Sequence, residues 1–261
     1  MVGVSVSDVA VNVGVFGAGG RMGATVCAAV AADPELELVA AVDPFRAGAI
    51  VEGVEIRPDV EAMAAAEVAV DFTVLDAALD NLRWCAAQGV HAVVGTSGFT
   101  DRHLAELRQL FTASSCLIAP NFAIGAVLMM RFAELAAPFF DSAEVIELHH
   151  DAKVDAPSGT AMATVERMAA ASATWAPDPT QHETVAGARG GTGPAGIHVH
   201  SVRLRGLVAH QEVLLGTLGQ TLTLRHDSYD RSSFMPGVLL ACKRIADHPG
   251  VTLGLDGLLG L

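Results

Sequence analysis

The most reactive group of side chains in the sequence occupies residues 149–160, which read HHDAKVDAPSGT. His149 and His150 end a predicted strand, so their side chains point to opposite faces of a sheet, and one could face a cofactor while the other faces a ligand. Lys153 adds a proton donor whose charge neighbouring groups could tune. Three small residues then open a predicted helix, where free N–H groups suit a carboxylate. They are Ser158, Gly159 and Thr160.

These residue types indicate proton transfer beside a bound anion. A polar loop and a metal site are the alternatives. Zinc is disfavoured because no further His, Cys or Glu of this segment has the spacing of metal ligands.

A glycine-rich loop at residues 17–23, GAGGRMG, is the second candidate site. It follows a short apolar run and opens an alanine-rich helix, where free N–H groups and the helix dipole favour a phosphate. The spacing departs from G-x-G-x-x-G, since the third glycine is Gly20 or Gly23. A turn without a ligand is the alternative. Dinucleotide binding is favoured because strand, loop, helix and a second strand ending in Asp43 are all present.

Asp43 bears on the choice of cofactor. A carboxylate at this position accepts a hydrogen bond from the 2′-hydroxyl of adenosine and repels a 2′-phosphate, which favours NADH. Arg21 and Arg46 could offset a phosphate, so NADPH stays open. An ordinary aspartate at a strand end is the alternative interpretation.

The elements that must position these residues change character near residue 122. Before it, short apolar strands alternate with helices, which is typical of a parallel sheet covered on both faces. The predicted strands are 9–16, 36–42, 68–72, 91–94 and 116–119, and the predicted helices are 24–32, 75–88 and 100–111. After it we predict helices at 124–140, 159–171 and 231–246 and strands at 143–148, 197–204, 207–215 and 220–225.

Together these elements predict an α/β protein of two domains. The first is a Rossmann-like dinucleotide-binding domain, residues 1–121 completed by 228–261. The second is an α+β substrate domain, residues 122–227, with an open mixed or antiparallel sheet. Its last three strands are expected to be antiparallel neighbours joined by tight glycine turns, and residues 187–196 to form a mobile glycine-rich loop.

Composition excludes several classes of protein. The chain has 261 residues, 51% of them hydrophobic, and a formal net charge of −13, so neither a disordered chain nor a nucleic-acid binder is expected. The longest nearly apolar stretch, 118–130, is shorter than the ~20 residues of a membrane span. The first basic residue is Arg21 and four scattered cysteines form no C-x-x-C pair, so we expect a cytoplasmic protein with neither signal peptide nor zinc cluster.

Several motifs resemble those of one enzyme family, in family order over nearly the whole chain. They are VFGAGGRMG at 15–23, DFT at 71–73, VGTSGF at 94–99, APNFAIG at 119–125, the 149–160 segment, HQEV at 210–213, and HDS at 226–228 with Arg231. On these motifs the sequence resembles the dihydrodipicolinate reductases of actinobacteria. The resemblance implies reduction of a cyclic imine dicarboxylate, made from pyruvate and aspartate semialdehyde, by NADH or NADPH on the route to diaminopimelate and lysine.

The resemblance also implies residue roles. His149 matches the proton donor and acceptor, and Lys153 the second proton donor. The substrate carboxylates correspond to His150, Lys153, Ser158, Gly159 and Thr160. The pyrophosphate corresponds to Gly17, Ala18, Gly19, Gly20, Arg21 and Met22, and the adenosine ribose to Asp43. The nicotinamide half corresponds to Gly95, Thr96, Ser97, Ala119, Pro120, Asn121 and Phe122. Phe72 and Thr73 are further cofactor-binding residues. Such reductases are usually homotetramers built through the open sheet of the second domain.

Two departures from the family pattern concern the cofactor. Ser97 stands where threonine is common, which keeps the hydroxyl. Asp43 replaces a glutamate of some members and precedes Pro44 where some have arginine, which argues against a strong NADPH preference. Four further histidines, His198, His200, His210 and His226, are expected to be structural or interface residues. Contact of one of them with the substrate is the alternative.

Two rival functions stay open. One is a reductase or dehydrogenase of the same two-domain plan, such as an amino-acid dehydrogenase acting on a different imine. The other is a non-catalytic dinucleotide sensor, which would have no need of the proton donors His149 and Lys153.

Overall fold

A computed structural model describes residues 10–261 and divides the chain into two compact units. One unit contains the chain up to Phe122 together with Phe234–Leu261, and the other is Ala123–Ser233. The chain thus changes units one residue after the first predicted boundary and six residues after the second. The predicted start of the first strand at Val9 lies outside the described residues.

The first unit begins with alternating strands and helices, as the apolar runs predict. They are β1 (Val11–Phe16), α1 (Arg21–Ala32), β2 (Leu36–Val42), β3 (Ile50–Val51), β4 (Val54–Arg57), β5 (Val68–Asp71), α2 (Leu75–Gln88), β6 (His91–Val94), α3 (Asp101–Leu110) and β7 (Ser115–Ile118). Local signals set two of the boundaries. Gly89 ends α2 in the left-handed conformation at φ 73°, and Thr100 caps α3 by accepting from the His103 N–H.

The second unit follows as α4 (Ile124–Ala136), β8 (Ser142–His149), α5 (Gly159–Ala171), β9 (Gly191–Thr192), β10 (His198–Arg203), β11 (Ala209–Thr217) and β12 (Gln220–Ser228). The chain then returns to the first unit with α6 (Met235–Arg244), β13 (Gly250–Leu253) and α7 (Asp256–Leu259). The helix predicted over 124–140 ends as an α-helix at Ala136 and continues as a 3₁₀ turn, Ala137–Phe139, which contains a proline. Likewise 231–246 is a 3₁₀ turn followed by the shorter α6.

The first unit is built on an eight-stranded sheet of order β13-β7-β6-β5-β1-β2-β4-β3, parallel except for β3. Strand β1 lies between β2 and β5, so the chain moves outward from it in both directions. Loops at the carboxyl ends of strands beside such a reversal form the crevice in which α/β sheets bind ligands. The glycine loop follows β1 at this crevice.

The second unit has a five-stranded sheet of order β12-β11-β8-β10-β9. The prediction that residues 197–204 and 207–215 pair with each other is wrong, because β8 lies between β10 and β11. Strand β10 follows β8 through the crossover helix α5 and therefore pairs parallel to it. The antiparallel hairpin of β11 and β12 is confirmed, and its turn contains Gly219 at φ 78°.

Candidate active site

The glycine loop needs glycine for close backbone approach. A Cβ at Gly23 would lie 2.0 Å from the carbonyl oxygen of Gly17, which itself has φ 68°. The Gly20 N–H donates to the same carbonyl at 2.9 Å, which closes the turn. Gly20 is also the N-cap of α1 and offers no side chain to the first amides of the helix. The loop therefore presents a helix N-terminus that suits an anion.

Asp43 is buried at the end of β2 and is tied to the glycine loop. Its Oδ2 accepts from the Gly19 N–H at 3.1 Å, and its Oδ1 accepts from the Phe45 N–H at 2.9 Å. A Cβ on Gly19 would meet the side-chain stem of Arg46 at 2.3 Å. A carboxylate and a guanidinium side chain thus border the same turn.

A cavity of about 420 Å³ lies beside this turn within the first unit. Its polar lining comes from Asp43, Thr73 and Asn81, and most of the remaining lining is apolar. Phe45 is one of these residues and is 93% exposed. The structure therefore brings together Gly17, Gly20, Asp43, Phe72 and Thr73 around one groove, as five of the predicted cofactor residues.

The carboxylate of Asp71, the first residue of the DFT motif and not among the predicted site residues, organises the next loops. Asp71 ends β5 and is 1% exposed. Its Oδ1 accepts from the N–H and the hydroxyl of Thr73, each at 2.7 Å, and from the Thr96 hydroxyl at 3.4 Å. Its Oδ2 accepts from Asn81 Nδ2 at 2.8 Å. Asp71 thereby fixes two predicted cofactor contacts. A charged residue at the end of a fully apolar strand was the signal in the sequence.

The residues predicted for the nicotinamide half follow the adjacent parallel strands β6 and β7. Gly95 lies against Phe72, since a Cβ there would be 2.0 Å from the phenyl ring. The rings of Phe72 and Phe122 are 5.7 Å apart between centroids. Ser97 and Pro120 are exposed, whereas Ala119 is buried and its N–H donates to Val94.

His149 ends β8 in the second unit, and a buried carboxylate holds its ring. Its Nδ1 lies 2.5 Å from Oε2 of Glu147, a side chain with no exposed surface. The two residues are two positions apart on a strand, so their side chains share one face. Arg203 on β10 donates to both oxygens of Glu147, at 2.9 and 2.8 Å. Neither Glu147 nor Arg203 was among the predicted site residues.

The environment shifts the pKa of both partners. Burial lowers the pKa of His149 below its ordinary value, although Glu147 opposes this by stabilising the imidazolium. Burial alone would raise the pKa of Glu147, but the hydrogen bonds from Arg203 and its other donors bring it below the ordinary value. The pair is therefore a carboxylate hydrogen-bonded to an imidazole, a residue type suited to proton transfer near neutral pH.

The loop after β8 supplies the remaining predicted residues. Lys153 places its Nζ 2.8 Å from both carboxylate oxygens of Asp155, and its side chain is 20% exposed. His150 lies one residue beyond the strand and is exposed. Ser158 caps α5 by accepting from the Ala161 N–H at 3.2 Å. Gly159 and Thr160 form the first turn of this helix, as predicted from the sequence. An ammonium group and a helix start therefore follow His149 within one short loop.

The four further histidines lie on three strands of the second sheet, and His210 on β11 pairs with Leu148, next to His149. His198 and His200 pair with Asp178 and Glu144, beside a cavity of about 700 Å³ at the other end of β8. His210 lies 2.7 Å from Asp227, and burial lowers the pKa of His226. Within residues 10–261, no three His, Cys, Asp or Glu side chains are grouped to hold a metal ion.

Known proteins match the chain along nearly its whole length. The family description "Dihydrodipicolinate reductase, N-terminus" matches residues 11–122, and "Dihydrodipicolinate reductase, C-terminus" matches residues 125–259. The 4-hydroxy-tetrahydrodipicolinate reductases of Cutibacterium acnes and Nocardia farcinica are 52% and 53% identical over 258 residues, covering 96% of this chain and 99% of each relative. A dipicolinate-bound dihydrodipicolinate reductase from Paenisporosarcina sp. TG-14 has a TM-score of 0.87 at 39% identity, covering 95% of this chain and 99% of that one.

Proposed function

The chain belongs to the dihydrodipicolinate reductase family, and we propose that it reduces 4-hydroxy-tetrahydrodipicolinate to tetrahydrodipicolinate with NADH or NADPH. This reaction lies on the route to diaminopimelate and lysine. The observation that carries the proposal is the arrangement of His149, Lys153 and the start of α5 in a chain whose other unit has a dinucleotide-type glycine loop.

The proposal divides the work between the units. The first unit holds the cofactor. The amides at the start of α1 receive the pyrophosphate, Asp43 the adenosine ribose, and Thr96 and Phe122 the nicotinamide half. The groove beside the glycine loop fits this assignment, because its apolar wall and its carboxylate suit an adenosine. When bound, the reduced nicotinamide supplies the hydride.

The second unit compensates the negative charge of the substrate and donates protons to it. The substrate is a dianion and the chain has a formal net charge of −13, so local positive groups must compensate the carboxylates. Lys153, His150 and the amides of Gly159 and Thr160 provide this compensation. Exchange of the 4-hydroxyl for the hydride releases water and consumes one proton overall. His149 donates this proton, and Lys153 is the second donor.

Asp43 inclines the enzyme towards NADH. The carboxylate of Asp43 is held beside the glycine loop by the Gly19 N–H and would repel a 2′-phosphate there. Arg46 lies beside the same turn and would partly offset this repulsion, so NADPH remains a substrate. We further propose a cytoplasmic homotetramer assembled through the open sheet of the second unit. Of the residues that the structure describes, none forms a helix suited to crossing a membrane. Light scattering should then give about four times the chain mass of 26.9 kDa, and a monomer would contradict the tetramer.

The decisive experiment measures oxidation of NADH and of NADPH by the purified protein, with substrate generated from pyruvate and aspartate semialdehyde by its synthase. Rapid oxidation that depends on the synthase supports the proposed reaction, and the ratio of the two rates tests the role of Asp43. Tight NADH binding without oxidation would favour another imine or a sensor. His149→Gln should leave NADH binding intact and lower turnover by a factor of about 10²–10⁴, and unchanged turnover would remove His149 from its assigned role.

A further inference from the structure

We infer that Glu147, fixed by Arg203, is a positioning residue that sets both the ring of His149 and the start of α5. This inference rests on the proposed function and deepens it, because it names the group that couples the proton donor to the helix start assigned to the substrate carboxylate. Glu147 itself is buried and acts through its neighbours.

Glu147 lies where an unpaired negative charge would strongly destabilise the fold. It lies in β8, the central strand of the five-stranded sheet, with β11 on one side and β10 on the other. A fully buried carboxylate is tolerated only when a counter-charge and hydrogen bonds satisfy its oxygens. Arg203 supplies both through two parallel bonds, the geometry for which a guanidinium is suited.

Two further bonds of this carboxylate reach separate parts of the site. Oε2 accepts from His149 Nδ1 at 2.5 Å, and Oε1 accepts from the backbone N–H of Ser158 at 3.3 Å. Ser158 is the N-cap of α5. Glu147 therefore fixes the position of the His149 ring relative to the start of α5. Without it, only the loop after β8 would connect the two.

Arg203 extends the network to the second proton donor. Its Nη2 donates to the backbone carbonyl of Asp155 at 2.7 Å, and the carboxylate of Asp155 accepts from Lys153. One ion pair in the sheet thus reaches His149, the loop with Lys153, and the first turn of α5. A rigid supporting shell of this kind keeps reacting groups within the narrow geometry that catalysis requires.

The contact also selects the reactive nitrogen of His149. A carboxylate only accepts hydrogen bonds, so Nδ1 carries the proton and Nε2 is left as the nitrogen that exchanges a proton with a ligand. The charged groups that act on the ring are Glu147 on its own strand, Arg203 on β10, and Lys153 from the loop, which is itself paired with Asp155. On β11 the residue opposite His149 is an alanine. Burial, Lys153 and Arg203 lower the pKa of His149, and Glu147 raises it.

The same strand offers a matched control. Glu144 also binds one arginine and one histidine, Arg189 and His200, but it lies near the opposite end of β8 from His149. Glu144→Gln and Glu147→Gln therefore remove the same charge from the same kind of pairing on one strand. Only the second removes it from His149.

The test compares both variants with the wild-type enzyme in synthase-coupled turnover and in an NMR titration of the His149 ring. For Glu147→Gln we expect kcat to fall at least about tenfold, as part of the 10²–10⁴ that a positioned proton donor contributes. The KM for NADH should stay within about twofold of wild type, because the glycine loop is unaffected. The His149 titration should move about one pH unit lower, and the ring nitrogen shifts should show loss of the Nδ1–H form. Glu144→Gln should leave all these quantities unchanged.

Two outcomes would overturn the inference while leaving the proposed function intact. In the first, the wild type is active and both variants lose the same fraction of its turnover. In the second, Glu147→Gln has the turnover and the His149 titration of the wild type. If Glu147→Gln fails to fold, Glu147→Asp keeps the charge but is one methylene shorter, and wild-type kcat in that variant would equally refute positioning. A wild type that oxidises no NADH would remove the proposed reaction instead, and the titration would still decide whether Glu147 sets the tautomer of His149.

Discussion

Exchanging the two side chains of the Asp71–Asn81 pair should measure how much the buried carboxylate of Asp71 stabilises the loops predicted to bind the cofactor. The Oδ2 of Asp71 accepts from Asn81 Nδ2 at 2.8 Å, and Oδ1 takes both donors of Thr73. A hydrogen bond to a charged group contributes about 1.5–3 kcal/mol. Asp71→Asn keeps an acceptor for Thr73 but loses the charge, so we expect unfolding to require about 2 kcal/mol less free energy.

Asn81→Asp should be more destabilising still, because it sets two carboxylates against each other in a partly buried place. The double variant, Asp71→Asn with Asn81→Asp, lets the new amide donate to the new carboxylate. We therefore expect it to be more stable than the sum of the single effects by at least about 1.5 kcal/mol. NADH affinity should fall about tenfold in Asp71→Asn, because Thr73 and Thr96 lose a charged anchor.

Urea unfolding measured by tryptophan fluorescence provides the assay. The chain has two tryptophans, and Trp84 packs against the core of the first unit whereas Trp175 belongs to the second. A Trp175→Phe background therefore reports the unit that contains Asp71, which avoids treating two units as one transition. Additivity of the two substitutions within about 0.5 kcal/mol would refute the pairing, and wild-type NADH affinity in Asp71→Asn would refute its link to the cofactor.

Three further outcomes follow from the structure. Gly23→Ala should abolish measurable NADH binding and lower the free energy of unfolding by about 1–3 kcal/mol, because its Cβ would collide with the Gly17 carbonyl. Gly257→Ala is the control, since its Cβ would meet open space, and it should change neither quantity. Tight NADH binding by Gly23→Ala would contradict the role assigned to the glycine loop. Asp43→Asn should raise the ratio of NADPH to NADH turnover about tenfold, and an unchanged ratio in the synthase-coupled assay would show that this carboxylate does not select the cofactor. Burial lowers the pKa of His91 below 6.5 in the folded chain. As pH falls through about 6.5, His91 is therefore protonated in the unfolded chain before it is protonated in the folded one, and the first unit should lose stability. Urea midpoints across this range should show the loss, and His91→Asn should flatten it.

Local sequence determined most of the individual elements. The limits of α2, β6 and α5 follow from apolar periodicity and from a glycine or a serine at the boundary, which are interactions among neighbours along the chain. The strands β3, β4, β9 and β13 escaped prediction. β3 and β9 have only two residues, and polar residues interrupt the apolar runs of β4 and β13. β9 lies inside the predicted glycine-rich loop 187–196.

The pairing of strands in the second unit could not be read in the same way. Adjacent apolar runs joined by a short glycine turn favour a hairpin. Whether β8 inserts between β10 and β11 depends instead on where α5 packs after its crossover, and that is a non-local property of the folded chain.

The chemistry of the site divides along the same line. The sequence alone determined which groups can act, because His149, Lys153, the glycine loop and Asp43 are recognisable from residue type and spacing. Only the tertiary structure decided how they are held. Arg203 lies 56 residues from Glu147, and Thr96 lies 25 from Asp71, yet hydrogen bonds join each pair. The physical reason is that a buried charge is stable only when the whole fold brings its partners to it, and no short segment contains that information.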